Sequence, residues 1–203
     1  MQFEPGDRRR VLPRHLRPAQ PPETFSYRIR PAEAADLPHI REIYDHFVRN
    51  SIVTLDAHTR GIPHWRDRFA LLRRLGLPFL VAVSPRGGVL GFALAQPWAG
   101  GNAYRHTVED SIYLSPGAGG KGLGTALLQA LIDACESLGI REMVAVISDS
   151  QADASVRLHA RLGFTEAGRT GRVAHRFGRD IGTVYMKRRL RPARGRRLFG
   201  SGR

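Results

Sequence analysis

Between residues 107 and 114 the chain alternates strictly: Val108, Asp110, Ile112 and Leu114 fall on one side, Thr107, Glu109, Ser111 and Tyr113 on the other. That period of two predicts a strand. Leu127, Leu128, Leu131, Ala134, Cys135 and Leu138 instead recur at helical spacing and predict a helix over 122–138. Upstream, Leu37, Ile40, Ile43, Tyr44, Phe47 and Val48 form a second helical stripe, with Asp36 as its expected N-cap. A third stripe, Trp65, Phe69, Leu72 and Leu75, predicts a helix over 64–75 stopped by Gly76. Short strands are expected at 27–30, 79–84 and 88–95, the last two joined by the turn that starts at Pro85. A strand over 140–147, a helix over 155–162 and strands over 165–172 and 183–189 complete the pattern. Early strands followed by alternating strand and helix predict one α/β domain, a single mixed sheet with helices on both faces.

Strand 107–114 runs into Ser115-Pro-Gly-Ala-Gly-Gly-Lys-Gly-Leu-Gly124, and a helix leaves it. Glycines let successive backbone N–H groups converge on one point, and the helix start adds unpaired donors and a positive dipole end, so the junction suits a phosphate or pyrophosphate. Two nucleotide motifs fail here. A Walker loop needs Ser or Thr after its lysine, and Lys121 is followed by Gly122. A dinucleotide fingerprint needs an acid about 20 residues on, at the end of the next strand, whereas Glu142 falls at the start of one.

Composition changes the picture in three places. A length of 203 residues with 42% hydrophobic content gives one domain with a real core. No run approaches the roughly 18 apolar residues of a membrane span, and the expectation is a soluble cytoplasmic protein with no membrane association. The net charge of +14 is uneven: +2 in residues 1–26, +4 in 27–186 and +8 in 187–203. The expected organisation is therefore a disordered arm over 1–26, a domain over 27–187 and a basic disordered tail over 188–203. Solvated tails explain the charge, and salt-sensitive nucleic-acid contact through the arginine-rich tail is the alternative. The single Cys135 excludes an intrachain disulfide and sits on an apolar stripe, where packing rather than nucleophilic chemistry is expected.

Gly119-Gly-Lys-Gly-Leu-Gly124 resembles the acetyl-coenzyme A loop of the GNAT acetyltransferase superfamily. More narrowly, Gln96-Pro-Trp98, Asn102-Ala-Tyr104, the run from Thr107 to Pro116, Val144-Ala-Val-Ile147, Ser155-Val-Arg-Leu-His159, Leu162-Gly-Phe164 and Phe177-Gly-Arg179 resemble the phosphinothricin and methionine-sulfoximine acetyltransferase family, in order and at near-family spacing. The resemblance implies a mainly antiparallel sheet with a central splayed strand pair, acetyl-CoA as co-substrate, a small-molecule amine as acceptor and a homodimer. It places coenzyme contacts at Ile112, Tyr113, Leu114, Gly119, Gly120, Lys121, Gly122, Leu123, Gly124 and Thr125.

Acetyl transfer to an amine needs a neutral nucleophile, so a base must take the ammonium proton, and a thiolate leaving group gains from a donor. Glu109, an acid in a central strand, is the expected base, and the matching glutamate is the family's proposed one. Desolvation there would raise its pKa. Asp110 points to the opposite face and is the expected inert comparison. His159 is the expected second catalytic residue, as proton donor or acetyl contact. Arg105, Tyr104, Trp98 and Leu55 are the expected substrate contacts, with Arg105 pairing an acceptor carboxylate. No metal is expected, because no histidine has a carboxylate or cysteine at ligand spacing.

Several positions depart from the family pattern. Gly119 stands where Gln or Arg is usual, Ala152 near a usual Asn, Ala99 where some members carry Arg, Asp180 for Trp and Leu55 near a usual aromatic. Alternative acceptors are a protein N-terminus or an aminoglycoside-like polyamine. A module of another class would sense coenzyme or bind RNA without turnover.

Overall fold

The computed structural model describes residues 25–99 and 102–191. Their elements follow the order β1 (Arg28–Pro31), α1 (Leu37–Asn50), α2 (Ile62–Leu75), β2 (Phe79–Val83), β3 (Val89–Pro97), β4 (Thr107–Leu114), α3 (Leu123–Ser137), β5 (Glu142–Ser148), α4 (Asp153–Arg161), β6 (Thr165–Arg176) and β7 (Arg179–Arg189). One seven-stranded sheet has the order β1-β2-β3-β4-β5-β7-β6. Every pairing is antiparallel except β4 with β5.

That parallel pair is the feature on which the site depends. Its ladder runs from Thr107↔Glu142 to Asp110↔Ala145 and then stops, although β4 continues to Leu114 and β5 to Ser148. Beyond Asp110 the two strands part, so the sheet opens at its centre.

Alternation along β4 splits the core. Val108, with Leu123, Leu127, Leu128, Leu131 and Cys135 of α3, belongs to one apolar layer. Tyr113 packs against the other, built from Ile40 and Tyr44 of α1, Trp65 and Leu72 of α2 and Phe92 of β3. The stripes read from the sequence are thus the buried faces. In the second layer the rings of Tyr113 and Phe92 stack at 5.4 Å, and Tyr44 meets Trp65 edge-on at 5.3 Å. Cys135 is fully buried in the first layer, and burial pushes its thiol pKa up, which agrees with a packing role.

Three local expectations change. Asp36 does not cap α1 through its side chain: its carboxylate pairs with Arg30 at 2.7 Å and accepts the Glu33 N–H at 2.8 Å. The last two strands form a hairpin longer than the sequence indicates, Thr165–Arg176 with Arg179–Arg189, and the ladder holds through two register irregularities. The domain also runs past its expected end at residue 187. Arg188 donates to the Leu162 carbonyl at 2.6 Å, the Leu190 N–H donates to Arg141 at 2.8 Å, and Leu190 is buried. All but the last two residues of the expected arm, and most of the expected tail, lie outside the described residues.

A buried guanidinium joins two distant parts. Arg176, at the tip of the hairpin, donates to the backbone carbonyls of Val48 in the last turn of α1 and of Thr54 and Asp56 in the segment between α1 and α2.

Gly182 in β7 leaves no room for a side chain. A Cβ there would overlap the Thr170 carbonyl and the Asp149 carboxylate, which itself accepts the Gly182 N–H at 2.9 Å. Gly182→Ala is expected to lower unfolding stability by roughly 1–3 kcal/mol, the cost of overpacking. Chemical denaturation would check it, and an unchanged midpoint would show that the hairpin yields.

Candidate active site

A cavity of about 620 Å³ passes through the opening between β4 and β5. On the α1/α2 face it is lined by Leu55, Asp56, Arg60, His64, Arg68, Gln96 and Glu109. On the α3/α4 face it meets Asp110, Ile112, Ser155 and His159, with Ala145 to Ile147 forming the opposite wall. Adjacent residues of one strand therefore reach one cavity from opposite faces of the sheet, because the sheet is open there.

Glu109 lies in that cavity, half-buried. Desolvation raises its pKa most, a hydrogen bond from Gln96 opposes this, the Asp110 charge adds to it, and Arg68 opposes it. The net shift is upward, the direction a base working near neutrality needs.

Asp110 is not the inert neighbour expected from its facing. It is buried, and its Oδ2 lies 3.0 Å from His159 Nε2, while His159 Nδ1 donates to the Ser155 carbonyl at 2.7 Å. A carbonyl only accepts, so Nδ1 carries a proton, and a further proton is shared between Nε2 and Asp110. Burial alone lowers the His159 pKa, but the hydrogen bond and charge of Asp110 and the Ser155 carbonyl outweigh it, and the net shift is upward. Donation to a leaving thiolate needs a free ring N–H, and both nitrogens are already committed. The His159 ring also packs edge-on against Phe164 at 4.9 Å.

The glycine loop follows the C-terminal end of β4, the strand that lines the cavity as far as Tyr113, and its own residues do not line the cavity. Gly117, Gly120 and Gly122 all have positive φ, at 81°, 76° and 79°, so a side chain at any of them would be strained. A Cβ at Gly119, Gly120 or Gly122 would meet nothing within 4 Å, which leaves their backbone open to an approaching ligand. The Ala126 N–H is bonded to the Gly122 carbonyl at 3.1 Å, and the amides of Leu123, Gly124 and Thr125 precede that helical ladder. These features fit a pyrophosphate. Lys121 Nζ sits 4.6 Å from the Phe25 ring centroid, held beside the loop.

Of the expected substrate contacts, Leu55 lines the cavity. Arg105, Tyr104 and Trp98 are not among its lining residues; Arg105 and Tyr104 are exposed, and Trp98 packs edge-on against Tyr185 at 6.3 Å. The basic residues at the cavity are Arg60, His64 and Arg68, which the sequence reading missed. Arg68 falls three residues after Trp65 and four before Leu72, at the edge of the apolar stripe of α2, while nothing in the spacing marks Arg60 or His64. Among the described residues, no group of three or more His, Cys, Asp or Glu side chains is placed to hold a metal ion, and no helix is long and apolar enough to cross a membrane.

A seven-stranded mixed sheet that opens at its centre, with a glycine loop feeding a helix, is the fold of the acetyltransferases. Residues 40–164 match the acetyltransferase (GNAT) family model, and the chain belongs to that family. It is 42% identical over 155 residues to phosphinothricin N-acetyltransferase of Alcaligenes faecalis, covering 76% of this chain and 78% of that one. It is 39% identical over 170 residues to the L-methionine sulfoximine/L-methionine sulfone acetyltransferase of Pseudomonas paraeruginosa, covering 84% and 98%. The crystal structure of a phosphinothricin acetyltransferase from Sinorhizobium meliloti in complex with acetyl-CoA superposes with a TM-score of 0.78 at 39% identity, covering 83% of this chain and 94% of that one. The protein is thus an N-acetyltransferase whose co-substrate is acetyl-CoA.

Proposed function

We propose that the enzyme acetylates the primary amine of a small L-amino acid or analogue of the phosphinothricin, methionine sulfoximine or methionine sulfone type, with Glu109 as general base. The observation that carries this reading is the cavity that holds Glu109 and crosses the sheet at the splay, along the strand that leads into the glycine loop. The resemblance to the relatives described above supports the acceptor class.

Backbone amides from Gly120 to Thr125 would hold the coenzyme's pyrophosphate, and the β4 backbone at Ile112, Tyr113 and Leu114, released from β5, would pair with its pantetheine arm. Gly119 contributes a main-chain amide in place of a longer side chain. Bound acetyl-CoA supplies an activated thioester. Glu109 removes a proton from the acceptor ammonium, which frees the lone pair that attacks the thioester carbonyl. As the C–N bond forms the C–S bond breaks, and the leaving thiolate takes the proton that the attacking nitrogen sheds. Positioning within the cavity supplies much of the rate. His159 holds the site rather than donating a proton, because it ties α4 to β4 through Asp110 at the point where the strands part. Leu55 closes the acceptor end. Homodimer formation also belongs to this reading: Val173 and Phe177 on the hairpin, with Tyr104, are large apolar side chains left exposed, and analytical ultracentrifugation would test it.

A panel of amines assayed by free-thiol release tests the proposal. Methionine sulfone, methionine sulfoximine and phosphinothricin are expected to be acetylated ahead of polyamines, aminoglycosides and peptide N-termini. A reversed order would overturn the acceptor class.

A further inference from the structure

We infer that Arg68 is the residue that receives the carboxylate of the acceptor and so restricts the enzyme to α-amino acids. This assignment rests on the acceptor class proposed above and names the side chain that would enforce it.

The charges in the α1/α2 lobe of the cavity are unevenly matched. Asp56 is taken: it accepts the Tyr44 hydroxyl at 2.7 Å and pairs with Arg60 at 3.2 Å. Arg68 differs. It is half-buried at the cavity wall, donates to the neutral Oε1 of Gln96 and lies 5.8 Å from the Trp65 ring centroid. Among the described residues it forms no ion pair. A half-buried guanidinium whose direct contacts are neutral, with the Glu109 and Asp56 charges acting on it only at longer range, retains donors suited to a carboxylate, whose two oxygens match its planar fork. The same lobe also disfavours a second cation at His64: burial and the charges of Arg68 and Arg60 lower its pKa by more than Asp56 and Asp67 raise it.

Its position relative to the base decides what kind of acceptor fits. Gln96 and Glu109 are cross-strand partners on β3 and β4, so their side chains stand side by side on one face. Arg68 reaches the outer edge of that Gln96 amide. The guanidinium and the Glu109 carboxylate are therefore separated by about the width of one carboxamide. An α-amino acid carries its amine and its carboxylate on the same carbon, so a molecule whose carboxylate rests on Arg68 presents its ammonium to Glu109. A simple amine lacks the first contact. A polyamine would bring a second positive charge against Arg68. Arg105, the arginine expected from the sequence to do this work, lies off the cavity.

The test compares L-methionine sulfone with its carboxamide, which keeps the amine and removes the negative charge, in wild type, Arg68→Gln, Arg68→Lys and Arg66→Gln. Arg66 is exposed on the same helix and does not line the cavity. Wild type is expected to prefer the acid. In Arg68→Gln, kcat/KM for the acid should fall about ten- to a hundredfold, mainly through KM, the loss expected for a charge-assisted hydrogen bond. The carboxamide should change less than about threefold, lysine should restore part of the preference, and Arg66→Gln should match wild type. Unchanged acetyl-CoA affinity in Arg68→Gln would show that the fold persists. An equal loss for acid and carboxamide, or no loss for the acid, would overturn the assignment of Arg68 alone. Wild type inactive on both compounds would overturn the acceptor class, and this assignment with it.

Discussion

Glu109→Gln is expected to lower turnover by about 10²–10⁴, the range for removing a positioned general base, while leaving acetyl-CoA affinity close to that of wild type. The amide keeps the shape and hydrogen-bonding capacity of the side chain but cannot take the ammonium proton. A pH profile gives the sharper readout. Desolvation first, with the Asp110 charge, raises the Glu109 pKa against the opposing Gln96 bond and Arg68 charge. A base works only when deprotonated, so kcat/KM should fall as pH drops through that raised value, and this acid limb should vanish in the Gln variant. Turnover in Glu109→Gln within tenfold of wild type would mean that another group or bulk water takes the proton.

Removing one member of the Asp110–His159 pair is expected to cost about 3–5 kcal/mol of stability, because the other is left buried and uncompensated. Asp110→Asn and His159→Phe should each show this in denaturant melts. The double variant should lose less than the sum of the two, with a coupling energy of roughly 1–3 kcal/mol. The pH dependence carries a definite sign. Burial lowers the His159 pKa, but Asp110 and the Ser155 carbonyl raise it further than burial lowers it, so the folded value lies above the unfolded one. The pair's contribution is thus complete below the unfolded pKa of about 6.5 and is lost as pH rises through the folded value. Stability that instead increases over that window would show that the histidine is neutral in the fold.

Local periodicity carries far into this fold, and then stops. The strand from Thr107 to Leu114 and the loop-to-helix junction at Gly122 were legible because alternation, glycine and an apolar stripe change at the same places. The full length of the last hairpin was not. Most side chains from Thr165 to Arg176 are exposed, so cross-strand hydrogen bonds rather than a buried face maintain its arms. Glu109 was legible as an acid in a central strand. Its neighbour was misread because alternation reports which face a side chain takes and says nothing about what waits there: His159 lies 49 residues away. Arg68 was hidden for a related reason, since a cation beside an amphipathic stripe looks like any solvated one until α2 is laid against the Gln96 edge of the sheet.

The three bonds from Arg176 all end on main-chain oxygens, at Val48, Thr54 and Asp56. Peptide carbonyls are the same whatever side chains flank them, so this tether is blind to the amino acids along the segment it secures. Leu55, between Thr54 and Asp56, can be exchanged in directed evolution to reshape the entrance without loosening this tether, while Arg176 itself has no such freedom.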